Sequence, residues 1–143
     1  AAEVTDYPLD LIRQYGFAYS SNFFDDDSPY LLKIRDEQTE VVELPFRYIY
    51  TDSAYFQFAK ILPGRTITNP LQVLQTWSWE LDTLHAEDRM MVLACHPEFT
   101  GQPSGSVLLA KLIEQALSKP NMWIARCDRV ASALRPALLR QAA

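Results

Sequence analysis

The sequence predicts an α/β fold with mostly parallel strands, and three observations carry that expectation. First, Met90–Cys95 is a short apolar run that stops at His96-Pro97, the pattern of a strand buried on both faces. Second, helical apolar stripes lie on either side of it, one after Asn69-Pro70 and one after Pro103. Third, the late order of elements reads helix, strand, helix, strand, helix, as βαβ units do.

The elements follow in order. Asp6-Tyr7-Pro8 with Leu9, Leu11, Ile12 and Tyr15 predicts a short helix closed by Gly16. Phe17–Ser21 is a candidate short strand. Asn22 to Pro29 carries Asp25-Asp26-Asp27, three like charges that repel one another, and reads as a solvated loop rather than a metal site. Tyr30 to Glu37 and Glu40 to Phe46 read as two strands around a polar turn at Asp36 to Thr39. Tyr55, Phe56 and Phe58 crowd the next segment as core or groove wall.

Asn69 caps the clearest helix, with Leu71, Leu74, Trp77, Leu81 and Leu84 on its buried face. His85 at its end suits the negative pole of the helix dipole and reads as structural. Gly101 to Ser106 is a loop feeding a second helix, with Leu109, Leu112, Ile113, Ala116 and Leu117 as its stripe. Met122 to Cys127 reads as another strand. Asp128 caps a last helix from Arg129, kinked or ended near Pro136. One domain over 1–143, without linkers, is the expected organisation.

Composition narrows the function classes. A chain of 143 residues with 48% hydrophobic and 22% charged residues is globular in character. Its net charge of -5 and the lack of any Lys/Arg cluster argue against a nucleic-acid partner. No apolar run is long enough to cross a membrane and no basic-then-apolar signal segment opens the sequence, so the expected setting is cytoplasmic. Two cysteines, Cys95 and Cys127, make neither a disulfide framework nor a zinc site, and both are expected to be buried thiols.

Little remains to carry chemistry. Two histidines eleven positions apart lack metal-ligand spacing, no G-x-S-x-G surrounds a serine, and four glycines make no phosphate loop. His96 stands at the carboxyl end of a predicted strand, where parallel α/β folds bind ligands. Glu98, Asp52 and Ser104 are its candidate neighbours. An imidazole works as acid or base near neutrality but does not make an active site alone. The chain reads as part of a site.

The residues also resemble a known family. Leu9-Asp10-Leu11-Ile12-Arg13-Gln14-Tyr15-Gly16-Phe17-Ala18-Tyr19-Ser20-Ser21, followed by Asp25-Asp26-Asp27-Ser28-Pro29-Tyr30, is similar to polysaccharide deacetylases of the NodB-homology superfamily. The similarity is greatest to the branch holding peptidoglycan-deacetylase-like and allantoinase-like proteins. It continues through Val42-Glu43-Leu44-Pro45, Trp79-Glu80-Leu81-Asp82 and Leu93-Ala94-Cys95-His96-Pro97, with Gly101 and Pro103. The resemblance implies the carboxyl-terminal portion of a distorted (β/α) barrel. The family's early Asp base and Asp/His/His metal set have no counterpart here. His96 matches the late histidine that acts as general acid, and Asp52, with Glu98 as a second candidate, falls in the place of a site-organising acid. Gln102 and Gly105 stand where the family often carries arginine, so the resemblance does not carry over the substrate contacts of those arginines.

Two expectations follow. In one, the chain is part of a carbon–nitrogen hydrolase that deacetylates an acetamido sugar or opens a cyclic amide. It then needs an amino-terminal half or a second copy, is inactive when isolated, and has no cofactor of its own, a divalent metal such as zinc belonging to the complete enzyme. In the other, it is a non-catalytic half-barrel that binds a partner or self-associates.

Overall fold

The structure is a computed structural model that describes residues 4–58 and 66–142. The α/β expectation holds. Helices α1 (Asp6–Gln14), α2 (Ser53–Phe56), α3 (Pro70–Ala86), α4 (Pro103–Leu117) and α5 (Cys127–Ala142) accompany strands β1 (Tyr19–Ser20), β2 (Tyr30–Ile34) and β3 (Glu37–Glu43). The residues group into two compact units. One runs to Phe46 and resumes at Ala125, and the other is Arg47–Ile124.

In the first unit, α1 places Asp6 in its first turn and Arg13 in its last, complementing the helix dipole. It ends where Gly16 takes a left-handed φ of 66°, letting the Phe17 amide donate to the Ile12 carbonyl at 3.0 Å. Leu9 buries against Leu32, Ile34 and Val41 of the sheet. The sheet order is β1-β3-β2, with β1 parallel and β2 antiparallel to β3. The sheet is therefore mixed among the described residues, not mostly parallel.

The hairpin turn also lies earlier than expected. Arg35 and Asp36 both have positive φ, 50° and 63°, the conformation that matches the twist of a two-residue hairpin. Ile34 then pairs with Glu37, and polar residues through Thr39 become strand. The Thr39 hydroxyl donates to the Leu32 carbonyl at 2.7 Å, so the side chain is satisfied where it is buried.

Helix α5 packs on this sheet through Ala131, which is fully buried. The predicted strand Met122–Cys127 does not form. Residues 122–126 are non-helical chain without a ladder, and Cys127 is already the first residue of α5. Pro136 neither ends the helix nor is buried. It sits inside α5 on an exposed position, where water can reach the carbonyl its missing N–H leaves over.

In the second unit, Asn69 caps α3 by accepting the Leu71 amide at 2.9 Å, and Pro70 occupies the first turn. Helices α3 and α4 pack through Val73, Trp77 and Leu81 against Leu108, Leu112 and Ala116. Trp77 anchors this core. Its indole N–H donates to the Ile49 carbonyl at 2.7 Å, and Tyr55 meets its ring edge-on at 6.0 Å.

Both stripes are rotated from those expected. On α3, Val73 is buried and Leu71 is exposed; on α4, Leu108 is buried while Ile113 and Leu117 face outward. The apolar residues are too numerous on each helix for periodicity alone to choose the face. The partner helix chooses it.

Met90–Cys95 is not a doubly covered strand among the described residues. Met91 and Leu93 lean half-buried on the helical core, and among the described residues the run pairs through a parallel bridge between Thr51 and Ala94. Cys95 is exposed and Cys127 half-buried, so neither is the deeply buried thiol expected.

Candidate active site

That single bridge assembles the site. The Ala94 amide donates to the Tyr50 carbonyl at 2.9 Å and the Asp52 amide donates back to the Ala94 carbonyl at 3.2 Å. Asp52 and His96 are thereby brought together just beyond the bridged residues Thr51 and Ala94, forty-four positions apart in sequence.

The Asp52 side chain is completely buried and acts as an acceptor hub. Its Oδ1 lies 2.5 Å from Nδ1 of His96. Its Oδ2 accepts the His96 amide at 2.7 Å, the Thr100 hydroxyl at 2.9 Å and the Thr100 amide at 3.3 Å. Burial alone would raise the carboxyl's pKa. The hydrogen bonds from the His96 ring, the His96 amide and the Thr100 hydroxyl, with the attraction of the imidazole when charged, outweigh that effect and hold it below the ordinary carboxylate value.

A carboxylate only accepts, so Nδ1 carries the proton in this pair. Nε2 is the ring's remaining functional nitrogen, on a side chain that is 43% exposed. Phe99 meets the ring edge-on at 5.7 Å and limits its swing. An imidazole with one nitrogen tied to a buried carboxylate and the other open can give or take a proton, and the carboxylate stabilises the charged ring.

The turn after His96 supplies the rest of the frame. The Phe99 and Thr100 amides both donate to the His96 carbonyl, at 3.0 and 3.1 Å. Gly101 is required by space: a Cβ there would lie 2.2 Å from the Pro97 carbonyl oxygen. Thr51 and Ser53, which flank Asp52, line an open depression of about 480 Å³ with Tyr48, Ala54 and Gln57.

Of the residues singled out from sequence, Asp52 and His96 come together. Glu98 is exposed in the turn, and Ser104 is exposed in the first turn of α4; neither has a hydrogen bond to the pair among the described residues. His85 lies 2.9 Å from the Pro120 carbonyl through Nε2, a structural role. In the acidic loop, Asp26 accepts the Asp27 and Ser28 amides at 2.7 and 3.0 Å, while Asp25 accepts the Tyr30 hydroxyl. Sequence reasoning missed Thr100. A threonine four residues after a strand-end histidine is a weak signal until the turn between them is known to close.

Among the described residues no three His, Cys, Asp or Glu side chains converge, and Nδ1 of His96 is already committed.

No protein-family profile and no curated protein sequence matches the chain. Solved structures do. The chain superposes with a TM-score of 0.85 and 26% identity on a protein from Mycobacterium smegmatis classed as a polysaccharide deacetylase, over 94% of its own length and 47% of the other's. One from Pseudomonas aeruginosa PAO1, classed likewise, gives 0.74 and 23%, covering 90% of this chain and 43% of that one. Puue allantoinase gives 0.74 and 19%, covering 94% and 44%. The chain thus has the α/β fold of part of a polysaccharide deacetylase or allantoinase, and spans a little under half the length of these structures.

Proposed function

We propose that the chain carries the acid–base histidine of a carbon–nitrogen hydrolase of the polysaccharide deacetylase and allantoinase kind. His96 is the general acid, Asp52 the residue that orients it, and the substrate an acetamido sugar or a cyclic amide. The observation that carries this reading is the completely buried Asp52 carboxylate on Nδ1 of a half-exposed His96.

In the proposed reaction, water adds to the amide carbonyl, giving up a proton to a base outside the residues described, and forms a tetrahedral intermediate. The C–N bond then breaks as the imidazolium gives the Nε2 proton to the departing nitrogen, converting a poor leaving group into a neutral amine. Asp52 keeps Nδ1 protonated and stabilises the charged ring through the cycle. The remaining catalytic groups, including any divalent metal, come from outside the residues described, in a complementary amino-terminal half that completes a distorted (β/α) barrel. The chain's span of under half of its structural neighbours supports that division.

The chain combined with an amino-terminal deacetylase half is to be assayed for acetate release from N-acetylglucosamine oligomers and for allantoin hydrolysis. Activity is expected on one of the two, absent from the isolated chain, and reduced about 10²–10⁴-fold by His96→Ala, the range for loss of a general acid. Full activity in His96→Ala would remove this histidine from the mechanism.

A further inference from the structure

We infer that Thr100 is a positioning residue for the Asp52–His96 pair, and that the first turns of α4 are what hold it in place. The Thr100 side chain is buried within a residue only 4% exposed, so its hydroxyl needs a partner inside the protein. Two oxygen acceptors are within reach, Oδ2 of Asp52 at 2.9 Å and the His96 carbonyl at 3.3 Å, and the Cys95 side chain is a further hydrogen-bonding neighbour. The shorter bond goes to the carboxylate, and the Thr100 amide reaches the same oxygen at 3.3 Å.

The geometry makes this contact directional. A carboxylate rotates about its Cβ–Cγ bond, and Oδ1 meets Nδ1 only in one orientation. The His96 amide on Oδ2 moves with His96 itself, so it cannot act as an independent reference for the ring. Thr100 is held separately. Its carbonyl accepts the Ser106 hydroxyl at 3.1 Å, and Gly105 lets α4 approach so closely that a Cβ there would lie 2.6 Å from the Thr100 Cα and 2.7 Å from the Phe99 oxygen. Position therefore passes from α4 through Thr100 to Oδ2, and from Oδ1 to the ring.

The catalytic consequence rests on the proposed role of His96, but the positioning itself is read without turnover. The test is ¹⁵N NMR of the His96 ring in the chain, in wild type and in Thr100→Val, Thr100→Ala and Thr100→Ser, with amide spectra as the control for folding. In wild type the neutral ring is expected to be protonated on Nδ1 almost entirely. In Thr100→Val and Thr100→Ala the ratio of Nδ1-protonated to Nε2-protonated ring is expected to fall about tenfold, the weight of one hydrogen bond to a charged group. Thr100→Ser restores it.

A wild-type ratio in a folded Val or Ala variant overturns the inference, as does failure of Thr100→Ser to restore a ratio that those variants lose. In the complemented enzyme the Val variant is expected to lower kcat with KM unchanged. An inactive wild-type mixture would count against the proposed function and leave the ring measurement to decide the role of Thr100.

Discussion

Replacing Asp52 tests the site through stability alone. In Asp52→Ala the His96 amide loses its acceptor, while the Thr100 amide and hydroxyl fall back on the His96 carbonyl they already approach at 3.1 and 3.3 Å. One part-buried amide left unpaired costs about 1–3 kcal/mol. The ring contact adds about 0–1 kcal/mol, because His96 is 43% exposed and water replaces the lost partner. The expected loss is about 2 kcal/mol, a sizeable share of a typical folding free energy of about 5–15 kcal/mol.

Asp52→Asn keeps an oxygen for the His96 amide and should lose about half as much. It turns an amide N–H toward Nδ1, however, and so forces the proton onto Nε2. The pH dependence has a defined sign. The Asp52 pKa is lowered by folding, so its contribution is present above the unfolded carboxyl value and disappears as pH falls through the folded one. Urea unfolding followed by tryptophan fluorescence at pH 7 and at about pH 3, below the unfolded carboxyl pKa of about 3.9, reads both effects. The deficit of Asp52→Ala should shrink at the lower pH. A deficit under about 1 kcal/mol at pH 7, or one that grows on acidification, would refute the reasoning.

Two further perturbations address the frame. In Gly101→Ala the new Cβ would sit 2.2 Å from the Pro97 oxygen, where ordinary contact begins near 3.4 Å, so the turn must open by more than 1 Å. About 1–3 kcal/mol of destabilisation and a displaced His96 amide resonance are expected, and an unchanged melting temperature would contradict the clash. In the first unit, Glu43 is fully buried and its Oε1 accepts the Asn22 and Phe23 amides at 2.7 and 2.9 Å. Glu43→Ala should cost about 2–6 kcal/mol by thermal melting and Glu43→Gln, which keeps that acceptor, clearly less; equal losses would show that the amides are not the reason for this acid.

Some features were legible in the chain because they depend on neighbours in sequence. Asn69-Pro70 starts α3 where a side-chain acceptor and a missing N–H suit a helix entrance, and Gly16 ends α1 because a left-handed φ is needed one turn after Ile12. His96-Pro97 marked the end of an apolar run for the same local reason. Asp52 was one of three candidate neighbours of His96, with Glu98 and Ser104, and the resemblance gave it the site-organising place, since Thr51-Asp52-Ser53 by itself carries no chemical signal. The resemblance to deacetylases and allantoinases also anticipated the structural neighbours.

Other features depend on what lies across space. Leu71 and Val73 are both apolar, and only the packing of α4 decides that Val73 goes in. Met122–Cys127 has a strand's composition, but strand is a property of a ladder, and the described chain provides none there. The hairpin turn moved to Arg35-Asp36 because cross-strand register, not the polarity of Glu37 to Thr39, selects where a two-residue turn closes. Thr100 was invisible for the same reason. A hydroxyl becomes a site residue only when the fold brings a buried carboxylate to within a hydrogen bond of it, and no local pattern encodes a contact forty-eight residues away.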